Sequence, residues 1–207
     1  MAESFVRDAR VADAADLARI QVARWRAGYP GLVPDRVLAE LTNEAAEERW
    51  REHWAQSLEN PPSSRHRVLA AITVEPAGSQ EPGGAHGAAG AHGAGGVQAR
   101  SVAGFAALGP STDPDKWPGT EAELYELCVE PGRRGQGHGS RLLNAAAATL
   151  ADDGFGTVCG WILAGDATAR AFLEASGWAP DGTRGELEMG VGVPVIRLHA
   201  SLSPAGG

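Results

Sequence analysis

The sequence is poor in cysteine, in positive charge and in long apolar runs, and each shortage removes a class of protein. Only two cysteines occur in 207 residues, Cys128 and Cys159. Both sit in apolar, strand-like runs, so they are expected as buried free thiols rather than as a disulfide framework or a metal site. Eighteen Lys and Arg against 26 Asp and Glu leave a formal charge of -8. No basic stripe is dense enough to displace counterions from a phosphate backbone, so no nucleic-acid partner is expected. No apolar stretch approaches the ~20 residues of a membrane-spanning helix, so no membrane partner is expected either. The opening MAESFVRDAR has no signal-peptide core, which predicts a soluble, cytoplasmic protein. What remains is 43% apolar residues over a length that suits one domain, 1–207.

Periodicity divides that domain into helices and strands. Phe5-Val6-Arg7 reads as a short first strand. Asp13 then stands as the N-cap of a helix, with Asp16 in the capping-box position and Leu17, Ile20, Val22 and Trp25 as its apolar stripe up to about Gly28. Pro34 opens a second short helix through Leu41, and a third covers 43–58 with Trp50 and Trp54 one turn apart as core anchors. Residues 67–74 and 102–108 read as two strands of one hairpin. Between them, 76–100 is a Gly/Ala/His-rich insertion expected to be flexible. His86 and His92 lie in it with no Cys or carboxylate at ligand spacing, so no metal site is expected. A strand at 157–163 follows the central segment described next. Asp166 caps a helix closed by Gly177, and 186–189 with 193–201 form a last hairpin. The order predicts a mixed α+β fold, a central sheet of about six to seven strands flanked by helices. Its centre is parallel, because a helix crosses between the Tyr125 and Val158 strands.

The most informative segment is 124–143, LYELCVEPGRRGQGHGSRLL. An apolar strand ends at Pro131-Gly132, a turn carries Arg133, Arg134 and three alternating glycines, and a helix follows with Ser140 in its opening turn. Amides left unpaired in the first helical turn, together with the helix dipole, make such a junction an anion site. Glycines at 135, 137 and 139 let backbone approach the anion closely. A nucleoside-triphosphate loop needs Lys-Ser/Thr after its last glycine, and Ser140-Arg141 stands here. A dinucleotide fingerprint needs a third glycine where Ser140 is and an acidic residue ending the next strand, where Trp161-Ile162-Leu163 stands.

The remaining string, Leu127-x-Val129-x-Pro131-x-x-Arg134-Gly135-x-Gly137-x-Gly139-x-x-Leu142-Leu143, resembles the acetyl-CoA motif of the GCN5-related N-acetyltransferases (GNAT superfamily). ARAFLEASGW at 169–178 is similar to that family's Ala-x-x-Phe-Tyr helix, and WRAGYPGLVP at 25–34 resembles its acceptor-side helices. The resemblance implies a splayed sheet whose gap takes the pantetheine arm of acetyl-CoA, the acyl donor, against Leu127, Cys128 and Val129. It places the pyrophosphate on the amides of Arg134, Gly135, Gln136, Gly137, His138, Gly139 and Ser140, with the side chains of Gln136 and His138 incidental. It adds Phe172 and Asp166 to the donor site, Asp166 serving equally well as a simple cap.

The implied reaction is direct transfer of the acetyl group to a primary amine of a small-molecule acceptor. Glu126 is the candidate base, against a reading as a plain solvent-facing strand carboxylate, and Glu123 is the second choice. A backbone N–H near Cys128 or Val129 is the natural donor to the developing oxyanion. Simple alternation would place Tyr125 on the face opposite Glu126. Trp25, Tyr29 and Trp117 are candidate walls for the acceptor, against a reading as core aromatics. Two departures stand out: Leu173 replaces the family's frequent Tyr acid, and Asp166 its frequent Asn. They keep open an acyl-CoA-binding module impaired in catalysis. Acetylation of a protein N-terminus or lysine is the other alternative, Trp161 standing where the ribosomal-protein-acetylating branch carries Glu. Homodimer assembly also remains open.

Overall fold

The computed structural model describes residues 3–74, 100–115 and 121–202. Seven strands form one open sheet: β1 (Glu3–Asp8), β2 (Arg67–Val74), β3 (Arg100–Pro110), β4 (Glu121–Val129), β5 (Thr157–Leu163), β6 (Ala179–Glu188) and β7 (Gly192–Ser201). Their spatial order is β1-β2-β3-β4-β5-β7-β6. Every neighbouring pair is antiparallel except β4 with β5, which are parallel as the crossover helix between them requires. Five helices cover the sheet: α1 (Ala14–Gly28), α2 (Asp35–Thr42), α3 (Glu44–Glu59), α4 (His138–Asp152) and α5 (Ala167–Ala175). No described helix is long and apolar enough to cross a membrane. Most of the 76–100 insertion lies outside the described residues; Arg100 already belongs to β3.

Two apolar layers hold the sheet between its helices. On one face, Leu142, Leu143, Ala146 and Leu150 of α4 and Leu173 of α5 pack on Leu69, Ala106, Leu124, Val158 and Leu198. On the other, Leu17, Ala18 and Ile20 of α1 and Trp54 of α3 pack on Ala70, Ile72, Phe105 and Cys128. Burying a side chain of this size stabilises by about 1.5–3 kcal/mol relative to leaving it exposed.

The ends of the helices show local chemistry at work. Asn43 caps α3, its Oδ1 accepting the Ala46 amide at 2.8 Å. Asp166 caps α5 through the Ala169 amide at 2.9 Å, and Gly177 (φ +86°) ends it in the left-handed region. Asp13 departs from its expected role as the cap of α1. Its backbone is already helical and its carboxylate turns back, accepting the Arg10 amide at 2.7 Å and the Arg7 guanidinium at 2.7 and 3.0 Å. The short 3-10 turn before α1 is what moves Asp13 out of the capping geometry.

Candidate active site

β4 and β5 stay together for three residue pairs, Glu121 with Thr157, Ala122 with Val158 and Glu123 with Cys159, and then part. Beyond that point, among the described residues, β4 is paired only with β3, through Leu124 and then Glu126, Leu127, Cys128 and Val129. The edge that faces β5 keeps backbone donors and acceptors free for an extended ligand arm.

The same strand carries an irregularity between Ala107 and Leu108 of β3, opposite Tyr125. Alternation fails across it. Ala122, Leu124, Leu127 and Val129 all pack toward α4, while Cys128 packs toward α1. Tyr125, expected on the face opposite Glu126, instead lies toward α3. Its ring stacks on His66 at 6.1 Å and its hydroxyl donates to the Pro110 carbonyl at 2.6 Å. The extra residue of a bulge shifts the face of everything after it by one step.

Past β4 the chain makes a 3-10 turn at Pro131–Arg133 and reaches the glycine loop. Gly135 and Gly137 take φ of +76° and +81°, which side chains resist. Gly137 is the N-cap of α4 and offers no side-chain cap, so the first amides of the helix have no partner from it. Successive amides in alternating hands of backbone form a concave anion cradle. Arg134, Gln136 and Ser140 are exposed around it. A Cβ on Gly139 would come within 3.0 Å of the Phe172 ring, so a glycine there lets α5 close on the first turn of α4. The His138 side chain is buried, 3% exposed, and among the described residues neither ring nitrogen has a partner. Burial, then Arg141 and Arg133, hold its pKa below the ordinary value.

Glu126 sits three residues beyond the last β4–β5 pair, half-buried against α1. Burial pushes its carboxyl above the usual carboxylate range, while Arg24, Cys128 and Gln21 draw it part of the way back. The Cys128 thiol donates to Glu126 Oε1 at 3.2 Å. Burial and then the Glu126 charge push that thiol well above its ordinary pKa, which makes it a poor nucleophile. Gln21 is held by the Trp54 indole, whose N–H donates to Oε1 at 2.8 Å. Arg24 pairs with Asp166 at 3.2 Å and lies 5.0 Å over the Tyr29 ring. Neither Gln21 nor Arg24 emerges from sequence reasoning; both sit inside an ordinary amphipathic helix, and their partners are remote in the chain.

The expected acceptor residues separate. Trp25 is 7% exposed, wedged between Tyr29 (6.0 Å) and Trp50 (5.1 Å), and belongs to the core. Tyr29 is half-buried beside Arg24. Trp117 lies outside the described residues. Leu173 is 5% exposed and packs in the α4-side core, away from any proton-transfer role. A cleft of about 400 Å³ opens beside the start of β4, bounded by Glu123, Trp161, Thr183 and Arg184. Among the described residues, no cluster of three or more His, Cys, Asp or Glu is arranged to hold a metal ion.

β4 parts from β5 and leads into a glycine anion cradle at a helix N-terminus, and these residues lie within the match to a known sequence pattern. That of the Acetyltransferase (GNAT) family covers residues 36–178. The chain belongs to the GNAT family. A relative, the uncharacterized N-acetyltransferase YuaI of Bacillus subtilis (strain 168), is 27% identical over 158 residues, 76% of this chain and 70% of that protein. Among solved structures, the PaiA N-acetyltransferase of Thermoplasma acidophilum in complex with coenzyme A aligns with a TM-score of 0.63 at 16% identity. The alignment covers 96% of this chain and 99% of that one. YncA of Salmonella typhimurium, a putative acetyltransferase with its cofactor acetyl-CoA, aligns at 0.58 and 17%, covering 99% and 97%. This GNAT protein is accordingly an acetyl-CoA-dependent acyltransferase, and its open β4 edge and amide cradle fit an extended donor with a pyrophosphate.

Proposed function

We propose that the protein acetylates the primary amine of a small molecule by direct transfer, with Glu126 as the base. The observation that carries this is the position of Glu126, on the bulged strand just past the point where β4 and β5 part. An amine is mostly protonated near neutral pH and must lose a proton to attack. A carboxyl lifted by burial and restrained by Arg24 is suited to take it. The backbone N–H of Val129, which the pairing phase turns away from β3 onto the open edge, stabilises the negative charge that develops on the acyl oxygen. Glu126 accepts from the Cys128 thiol, and the raised thiol pKa favours direct attack over an acyl-cysteine. With Leu173 in the core, the CoA sulfur leaves without a proton from α5, which a thiol pKa of ~8.5 allows.

The acceptor reading rests on the cleft of about 400 Å³, the size of a small-molecule site. Glu123 and the Trp161 ring in its wall suit a cationic amine, and Tyr29 lies toward the donor gap beside Arg24. Release of CoA thiol from acetyl-CoA in the presence of a panel of small amines and of N-terminal and lysine peptides tests the proposal. Turnover confined to small amines is expected. Turnover on peptides alone, or tight CoA binding with no turnover, contradicts it.

A further inference from the structure

Arg24 occupies a place that the reaction as described leaves unexplained. It lies on the sheet-facing side of α1, and its guanidinium Nη2 meets Asp166 Oδ2 at 3.2 Å. Asp166 follows β5 and heads α5, on one side of the gap. On the other side stands β4, where the charge of Arg24 acts on Glu126 and Cys128. One cation therefore spans the opening between the parted strands. Its Nη1 is buried and, among the described residues, has no hydrogen-bond partner. A buried guanidinium N–H without an acceptor is unfavourable, and the amide and thioester carbonyls of an acyl donor are the acceptors the gap lacks.

We infer that Arg24 is a positioning residue: strung between the two parted strands, it fixes the charge of Glu126 electrostatically and leaves one buried N–H for the acyl donor to take up. The inference rests on the reading of Glu126 as base. The groups that face this pair come from three elements. From α1 and its end come Gln21 and Tyr29, the first occupied by Trp54 and the second held neutral, since burial and then Glu126 raise its pKa. From β4 comes the neutral Cys128 thiol, on which the loop residue Arg134 also acts. From the head of α5 comes Asp166. Among the described residues, Arg24 is the one cation acting on Glu126. Without it, burial is opposed only by hydrogen bonds, and Glu126 takes up its proton at higher pH.

The test is kcat/KM for the amine across pH in the full chain, for wild type, Arg24→Gln, Arg24→Lys and Glu126→Gln. Titration of the free amine is common to all four and cancels in the ratio of variant to wild type. The inference expects the Arg24→Gln ratio to fall toward acid pH, tenfold for each pH unit by which the acid limb has moved up. It expects Arg24→Lys, which keeps the cation, to leave the limb in place. The KM for acetyl-CoA is expected to rise in Arg24→Gln. Should stranding Asp166 unfold that variant, R24Q/D166N no longer strands Asp166 and reads the same limb. An Arg24→Gln ratio that is flat across pH, while the Glu126→Gln ratio rises toward acid pH, overturns the inference and leaves the base assignment standing. A Glu126→Gln ratio that is flat across pH refutes the base assignment, and the inference with it.

Discussion

Arg24 on the first helix and Asp166 at the head of the last, 142 residues apart in sequence, meet at 3.2 Å across the gap between β4 and β5. Both side chains are largely buried, and the second oxygen of Asp166 caps α5. Removing one partner of a buried pair costs about 3–5 kcal/mol, and a lost cap about 1 kcal/mol more. Asp166→Ala loses both contributions, whereas Asp166→Asn keeps an oxygen for the Ala169 amide. Denaturant unfolding is expected to rank wild type above Asp166→Asn and that above Asp166→Ala. Equal losses in the two variants would remove the cap from the account.

Gly137 is the position at which the anion cradle is most sensitive. Its φ of +81° makes any side chain cost about 1–2 kcal/mol, and a Cβ would also stand 3.2 Å from Arg141 Nη1, which donates to the Gln136 carbonyl. Gly137→Ala is expected to weaken acetyl-CoA binding about tenfold or more, the equivalent of ~1.4 kcal/mol. Gly132→Ala, where a Cβ meets nothing within 4 Å, serves as the control. Calorimetric titration that finds the two variants alike would sink the cradle.

The buried His138 ring makes stability depend on pH with a definite sign. Its folded-state pKa lies below the unfolded value of ~6.5, so the unfolded chain binds the proton first. Stability is complete above that value and declines as pH falls below it toward the folded pKa. His138→Leu removes this linkage. The Tm difference between variant and wild type is expected to be level above about pH 7 and to shift in favour of the variant as pH falls from about 6.5 to 5.5. A difference independent of pH would show that the ring is not buried neutral.

Cys128 separates direct from covalent transfer. Its thiol is fully buried and its pKa is raised by burial, so it should not carry the acetyl group. Cys128→Ala is expected to keep the rate within an order of magnitude, since loss of a true nucleophile costs several orders. Intact-protein mass spectrometry with acetyl-CoA and no acceptor should find no acetyl adduct; an adduct on Cys128 would refute direct attack.

Local signals made much of this architecture readable. The strands Arg67–Val74 and Thr157–Leu163 carry mostly apolar, β-favouring runs, and their limits agree with expectation. Asp166 and Gly177 mark the two ends of α5 because caps are set by single residues. The bulge at Tyr125 reversed the face of that side chain; its trace in the sequence is on the partner strand, where Gly109 leaves room for the Tyr125 ring, and only the pairing of β3 with β4 shows what that glycine serves. Gln21, Arg24 and the burial of His138 were hidden. Each depends on partners brought near only by the folded sheet, and periodicity reports which face of a helix is buried but not what it meets.

The central claim is that acetyl-CoA lies along the open edge of β4 with its pyrophosphate on the loop before α4. Amide hydrogen exchange with and without CoA tests it most directly. The account predicts added protection in two segments together, 127–129 on β4 and 134–140 on the loop and first turn of α4. Protection in neither segment, or in the loop alone with the β4 edge unchanged, would contradict it.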